Sequence, residues 1–499
     1  MRDRVARAVL GILAALAIYT TVPAQEPAPD PSVRPNILMI VAEDIGPDFG
    51  AYGRAEVPTP ALDGLAAGGM LFTSAFTTAP VCSPSRSAWN TGMYQTTIGA
   101  HHHRSHRPGD PSGPLLLPEG VQIVSDWMRG AGYYTANVIA LPDEVDFRGT
   151  GKTDWNFTYE GKPFDSNRWA DLKTHQPFYA QLNLPETHRG AEWRTAHERV
   201  ARPVDPDQVV LPPYAPDHPV VRQDWAQYLN NVTALDDKVG VILDLLRQDA
   251  LVDRTIVIVM GDNGRAMVRG KQWPYDSGLH VPLIVHLPPA MAGSVDRYTA
   301  GSRSDQLISA IDVTATTLAL AGVPKPARMQ GRVFLGPNAE AVREYVFGGR
   351  DRGDETVDRI RTVRSGRFRY QRNYYPERPF LQTNRYKEAE YPGIWVLRRL
   401  HADGALTPVQ ERLMAPTRPA EELYDVIADP HEIRNLVDSP AHQAVLNELR
   451  AELDRWILES DDQGRFPEDP AVAAYYEAEM KKLYDQRIAE LRREWGLGE

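Results

Sequence analysis

Leu229, Val232, Leu235, Val239, Ile242, Leu243 and Leu246 recur at helical spacing through Trp225 to Asp249, and the β-branched run Thr255 to Met260 follows at once. A long one-sided helix feeding a short, wholly apolar strand leaves few architectures open. Such a strand has no face to give to water, so it is covered on both sides. The same alternation runs through the rest of the first two thirds of the chain. Asn36 to Val41, Tyr133 to Ile139, Phe178 to Leu184 and Val281 to His286 read as further short strands. Leu62 to Met70, entered through Thr59-Pro60, reads as a helix, as do Val121 to Gly130 and Ile308 to Leu320. The prediction is an α/β fold, with a large, mostly parallel but mixed sheet flanked by helices. Polar residues fall just after the strands: Glu43-Asp44 after the first, Asp262-Asn263-Gly264 after Thr255 to Met260. Open sheets of this kind bind their ligands beyond those ends.

After about Pro337 the pattern changes. Glu344 to Gly348, Ile360 to Arg364, Phe368 to Arg372 and Glu422 to Asp425 read as short strands joined by turns, and Pro440 to Leu458 as a covering helix. This predicts a smaller C-terminal α+β subdomain with an antiparallel sheet. Ala471 to Trp495 reads as a charged helix on the surface or on a partner. With 499 residues, more than one structural part is expected. The divisions read as 1–24 signal peptide, 25–340 catalytic α/β domain, 341–465 α+β subdomain and 466–499 helical extension.

The net charge is −11, which argues against nucleic acid as the partner but leaves room for a small anion in a local cationic pocket. Arg2, Arg4 and Arg7, the apolar run Val9 to Ile18 and the small residue at Val22-Pro23-Ala24 read as an export signal, placing the protein in the periplasm or outside the cell. An uncleaved anchor is the other reading of that segment. No later stretch has the length and apolarity of a membrane span. The chain holds one cysteine, Cys82. It can make no internal disulfide, so it is incidental, a reactive thiol, or a residue with chemistry of its own.

Cys82-Ser83-Pro84-Ser85-Arg86 forms a polar turn into a helix start, where free N–H groups and the dipole favour anions. Glu43, Asp44, Asp262 and Asn263 offer oxygen ligands of the kind that suits Ca2+ or Mg2+, although Asp-Asn-Gly is also a common turn. Gly270-Lys271 lies before Gly278 to Ile284, Pro185-Glu186-Thr187-His188 follows a strand, and Gly151-Lys152-Thr153-Asp154 adds a lysine and a carboxylate.

With these residues in place the chain resembles the sulfatase family of the alkaline-phosphatase-like superfamily. Cys82, Pro84 and Arg86 match its Cys-x-Pro-x-Arg signature, Asp262-Asn263-Gly264 its late metal motif and Lys271 its sulfate-contacting lysine, while Glu43-Asp44 stands at its early acidic pair, usually Asp-Asp, with Glu43 departing from it. Thr59-Pro60, Leu62-Asp63, Leu65-Ala66, Phe72 and Ala75-Phe76 extend the likeness, as do Glu422 to Asp425, Asp429 to Glu432 and Asn435-Leu436. Ile360 to Arg364, Phe368 to Tyr370, Arg372 to Pro376 and Arg378 to Phe380 point to the heparan N-sulfatase-like members.

The resemblance implies that a separate maturation enzyme oxidises Cys82 to formylglycine, whose hydrate attacks sulfur. It implies one divalent cation, Ca2+ rather than Mg2+, at Glu43, Asp44, residue 82, Asp262 and Asn263. Arg86, Lys152 and Lys271 would offset developing charge, and His188 would protonate the leaving atom. Asp154 stands where many relatives have a histidine that takes up the proton when sulfate leaves. Either Asp154 or one of His101, His102, His103 and His106 would supply that base. The four histidines also fit a substrate pocket or a transition-metal site. The substrate implied is a sulfated small molecule or glycan. A phosphate or phosphonate monoester hydrolase and a sulfated-glycan-binding protein without turnover are the competing readings.

Overall fold

Thirteen strands in two sheets organise the described residues, which are 34–104 and 109–497 of a computed structural model. The predicted signal peptide and His106 lie outside them. The larger sheet holds β1 (Asn36–Ala42), β2 (Met70–Phe76), β3 (Tyr134–Ala140), β4 (Ser166–Arg168), β5 (Phe178–Leu184), β6 (Thr255–Gly261), β7 (His280–His286), β8 (Ser302–Ser304) and β9 (Ile308–Ser309), in the order β4-β3-β5-β1-β6-β7-β2-β8 with β9 beside β2. The run from β4 to β6 is parallel, whereas β7 is antiparallel to both β6 and β2. The sheet is therefore mixed and mostly parallel, as the alternation predicts.

β1 shows why the central strands read as continuous apolar runs. Leu38, Ile40 and Ala42 face a core shared with the helix Pro219–Gln248, through Leu229, Val232 and Leu235. Ile37, Met39 and Val41 face the opposite core, with Trp89 and with Val313 and Leu318 of the helix Ala310–Leu320. Each such side chain removed from water contributes roughly 1.5–3 kcal/mol.

The register sets the level at which the central strands end. Ala42 pairs with Leu184 of β5 and with Gly261 of β6. The residues that follow these three strands, Glu43-Asp44, Pro185 to His188 and Asp262-Asn263, therefore leave the sheet side by side.

β2 was not foreseen. The predicted helix Leu62 to Met70 ends at Gly68, and Met70 opens the strand. One glycine, Gly69, separates the two, so there is no loop to announce the change. The helix predicted from Val121 begins only at Val124.

The second sheet holds β10 (Val346–Arg350), β11 (Ile360–Arg364), β12 (Phe368–Asn373) and β13 (Glu421–Asp425), all antiparallel. Leu446, Leu449, Leu453 and Trp456 of the helix Gln443–Glu459 cover it, with Trp456 stacked on Phe347 at 5.1 Å. The two sheets belong to one compact unit. No helix among the described residues is long and apolar enough to cross a membrane.

Candidate active site

Asp44 turns the chain out of β1 with φ of 52°, a left-handed conformation that an aspartate tolerates better than most residues. Its N–H donates to Asp262 Oδ1 at 2.9 Å, which ties the exit of β1 to that of β6. Its Oδ1 accepts from Asn263 Nδ2 at 2.9 Å, and its Oδ2 from Lys271 Nζ at 2.8 Å. Gly264 completes the turn because its backbone passes too close for any side chain: a Cβ there would sit 2.4 Å from the Ser277 carbonyl oxygen.

The helix Cys82–Thr91 starts directly over this turn. Val81 is its N-cap, and no side chain caps its first N–H groups. Cys82 Sγ lies 3.5 Å from Asp44 Oδ1. One turn on, the wholly buried Arg86 reaches back. Its Nε donates to Asp262 Oδ2 at 2.9 Å and its Nη1 to Asn183 Oδ1 at 2.7 Å.

Three acids and three cations thus interlock in a buried space. Glu43 Oε2 accepts from Lys152 Nζ at 2.7 Å, while its Oε1 accepts from Thr150 at 3.3 Å. Burial alone would raise the Glu43 pKa, but Lys152 and Arg86 overcome it and hold the group at about 2. Asp44 is likewise buried yet held below the usual carboxylate range, chiefly by Lys271. Burial dominates at two other groups. It pushes the Cys82 thiol up, so the unmodified side chain is a poor nucleophile, and with the neighbouring Lys271 it pushes His188 down to about 4. A cavity of about 540 Å3 opens over these groups, and Cys82, Lys152, Asp154, His188 and Lys271 all line it.

A family model described as Sulfatase matches residues 35–323. The chain belongs to the sulfatase family. It is 33% identical over 480 residues to an ulvan-active sulfatase of Formosa agariphila, covering 88% of this chain and 77% of that protein. It is 27% identical over 466 residues to human N-sulphoglucosamine sulphohydrolase, covering 86% and 90% respectively. Its fold is similar to that of a solved 2-O GAG sulfatase, with a TM-score of 0.60, 20% identity, and coverage of 88% of this chain and 96% of the other. This sulfatase is accordingly a hydrolase of sulfuric esters or sulfamates.

In this sulfatase the residues that could hold a cation are gathered around Asp44. Ligand atoms of Asp44, Cys82 and His188 lie within 4.8 Å of one another. Asn263 Oδ1 is buried and, among the described residues, accepts no hydrogen bond. A buried carbonyl oxygen beside carboxylates and without a donor fits a hard divalent cation. Glu43, expected among the ligands, accepts from Thr150 and Lys152, just as both oxygens of Asp44 and of Asp262 accept from their own donors. Asp154 lines the cavity with Oδ2 4.0 Å from Lys152 Nζ.

Of the described histidines of the predicted cluster, only His103 lines the cavity, with Nδ1 3.2 Å from Asp354 Oδ1. His101 packs against the ring of His102 at 4.3 Å, and His102 Nε2 turns to Glu468 at 3.7 Å. Sequence reading missed Gln272, Asp354, Tyr386, Met480 and Tyr484 on the cavity wall. The helix Pro470–Glu494, predicted for the surface or a partner, supplies the last two. Gln272 was findable, since it adjoins Lys271. The others carry no local signal.

Proposed function

We propose that this sulfatase removes sulfate from a sulfated carbohydrate, using residue 82 as formylglycine and one divalent cation, Ca2+ in preference to Mg2+. The observation that carries the reading is the single cavity joining Cys82, Lys152, Asp154, His188 and Lys271 above the Asp44–Asp262–Asn263 turn. The names of its relatives, an ulvan-active sulfatase and an N-sulphoglucosamine sulphohydrolase, support a carbohydrate as the substrate.

Glu43, Asp44, Asp262, Asn263 and residue 82 would hold the cation, which when bound would supply positive charge against the sulfate oxygens. Hydrated formylglycine supplies the oxygen nucleophile. The remaining work belongs to ordinary side chains. Lys271 and Lys152, both drawn toward carboxylates in the resting site, orient the sulfate and offset charge that develops on it. Arg86 acts through Asp262 and Asn183, holding the strand exits beneath the helix. His188 donates a proton to the departing oxygen or nitrogen. Burial and Lys271 hold His188 neutral in the resting site, and the negative charge of a bound sulfate favours its protonated form. Asp154 accepts the proton released when sulfate is expelled. The N-terminal pattern supports export through a signal peptide, and the oxidation of Cys82 requires a maturation enzyme.

Mass analysis of the peptide containing Cys82, taken from active protein of the native host, tests the nucleophile. An aldehyde or its hydrate is expected, and Cys82→Ala is expected to abolish turnover while leaving the fold intact. Unmodified thiol throughout in active protein sinks the assignment. Rates on matched sulfate and phosphate monoesters decide against the phosphohydrolase alternative, provided the sulfate is faster.

A further inference from the structure

Gln272 follows Lys271 and lines the cavity over Cys82. Its backbone is left-handed, with φ of 69°, and its N–H donates to the Pro80 carbonyl at 2.5 Å, which ties it to the turn leading into Cys82. The residue is 1% exposed, yet neither Oε1 nor Nε2 of the carboxamide has a hydrogen-bond partner among the described residues. An amide left in this way costs the folded chain stability, and its persistence on a catalytic wall calls for a partner from outside the chain.

The carboxamide lies against Gly353, where a Cβ would come within 3.5 Å of its Cδ and Oε1. The next residue, Asp354, holds His103 through the 3.2 Å contact to Nδ1, and the His103 N–H donates to the Arg352 carbonyl at 2.9 Å. Three segments distant in the chain thus build one polar wall beside the residues assigned to bond breaking.

We propose that Gln272, with His103 held by Asp354, reads the hydroxyls of the sugar ring that carries the sulfate. A primary amide presents a donor and an acceptor side by side, and neighbouring hydroxyls can satisfy both at once. The inference rests on the carbohydrate reading above.

Gln272→Met keeps the side-chain volume and deletes both polar atoms. The readouts are the thermal midpoint, kcat and KM on N-sulfoglucosamine, glucosamine 6-sulfate and ulvan oligosaccharides, and inhibition by inorganic sulfate, which probes the charged centre without a sugar. The midpoint should stay level or rise, because an unpaired buried amide is removed. On the best of these substrates kcat/KM should fall at least about tenfold, mainly through KM, with sulfate inhibition unchanged. Asp354→Asn should show the same split with a smaller loss.

A lowered midpoint with weakened sulfate inhibition would reveal a packing role and overturn the inference. Unchanged kcat/KM would overturn it too. Wild-type enzyme that sulfate inhibits but that cleaves none of the sulfated sugars would overturn the carbohydrate reading and this inference with it. Active wild type with an indifferent Gln272→Met overturns the inference alone.

Discussion

Asp44 has no exposed surface, and its carboxylate is shared between Asn263 and Lys271 while its N–H is held by Asp262. Arg86 is equally buried and answers Asp262 from the other side. Removing one member of such a set leaves its partner charged in a dry space. Arg86→Ala should therefore destabilise the protein by about 3–5 kcal/mol, measured by denaturant unfolding. Arg86 is more costly to lose for stability than Lys152, whose side chain keeps 20% of its surface exposed. Asn263 Oδ1, buried and accepting no hydrogen bond among the described residues, is where the proposed cation is tested. Exhaustive chelation should lower both activity and thermal midpoint, with Ca2+ restoring both at lower concentration than Mg2+. Asn263→Ala should lose most of the ion-dependent rise in midpoint. A midpoint indifferent to chelation and to added ions would remove the cation from this turn.

The exits of β1, β5 and β6 and the helix Cys82–Thr91 act as one assembly. Its tightest point is Gly264, whose N–H donates to the Gly278 carbonyl at 2.9 Å and whose Cα faces the Ser277 carbonyl. Gly264→Ala forces backbone against backbone, and no flexible side chain can yield. We expect a loss of about 1–3 kcal/mol and a displaced Asp262-Asn263 turn. Activity should fall more than the residual stability accounts for, which kinetics at a temperature well below the midpoint would show. The strand exits were legible in the sequence, because a buried strand is a continuous apolar run and its end is marked by the first acids. β2 was not, since Gly69 alone separates it from the preceding helix and its Thr73-Ser74 centre interrupts the apolar pattern.

Acid should unfold this molecule through histidines that the fold keeps neutral. Burial lowers His280 to about 4 and His101 to about 3, and neither ring lines the catalytic cavity. The unfolded chain takes up protons near pH 6.5, so it binds more of them than the native state between there and pH 4. The stability these rings confer is complete above about pH 6.5 and is lost as the pH falls toward their folded values. For His280 the loss is on the order of 3 kcal/mol. His280→Asn should flatten the fall in thermal midpoint between pH 6.5 and 4, although its stacking on Phe76 is forfeited at every pH. The C-terminal third also shapes the site. Asp354, Tyr386, Met480 and Tyr484 reach the cavity from segments that carry no catalytic motif. Arg385, bonded to Asp485 at 2.7 Å, links two of those segments.

Local order was written into the chain: the apolar strands, the acids that end them, and a cysteine opening a helix three residues before Ser85 and four before Arg86. These follow from covalent neighbours and from the spacing that burial imposes, so they survive being read in one dimension. Pairing across distance does not. Glu43 and Lys152, 109 residues apart, came together beside Asp44. His103 reached the cavity while its neighbours His101 and His102 did not. The C-terminal helix became a wall of the site. Each outcome depends on how segments hundreds of residues apart pack and on which charge lies nearest once water is excluded, and those quantities exist only in the folded molecule.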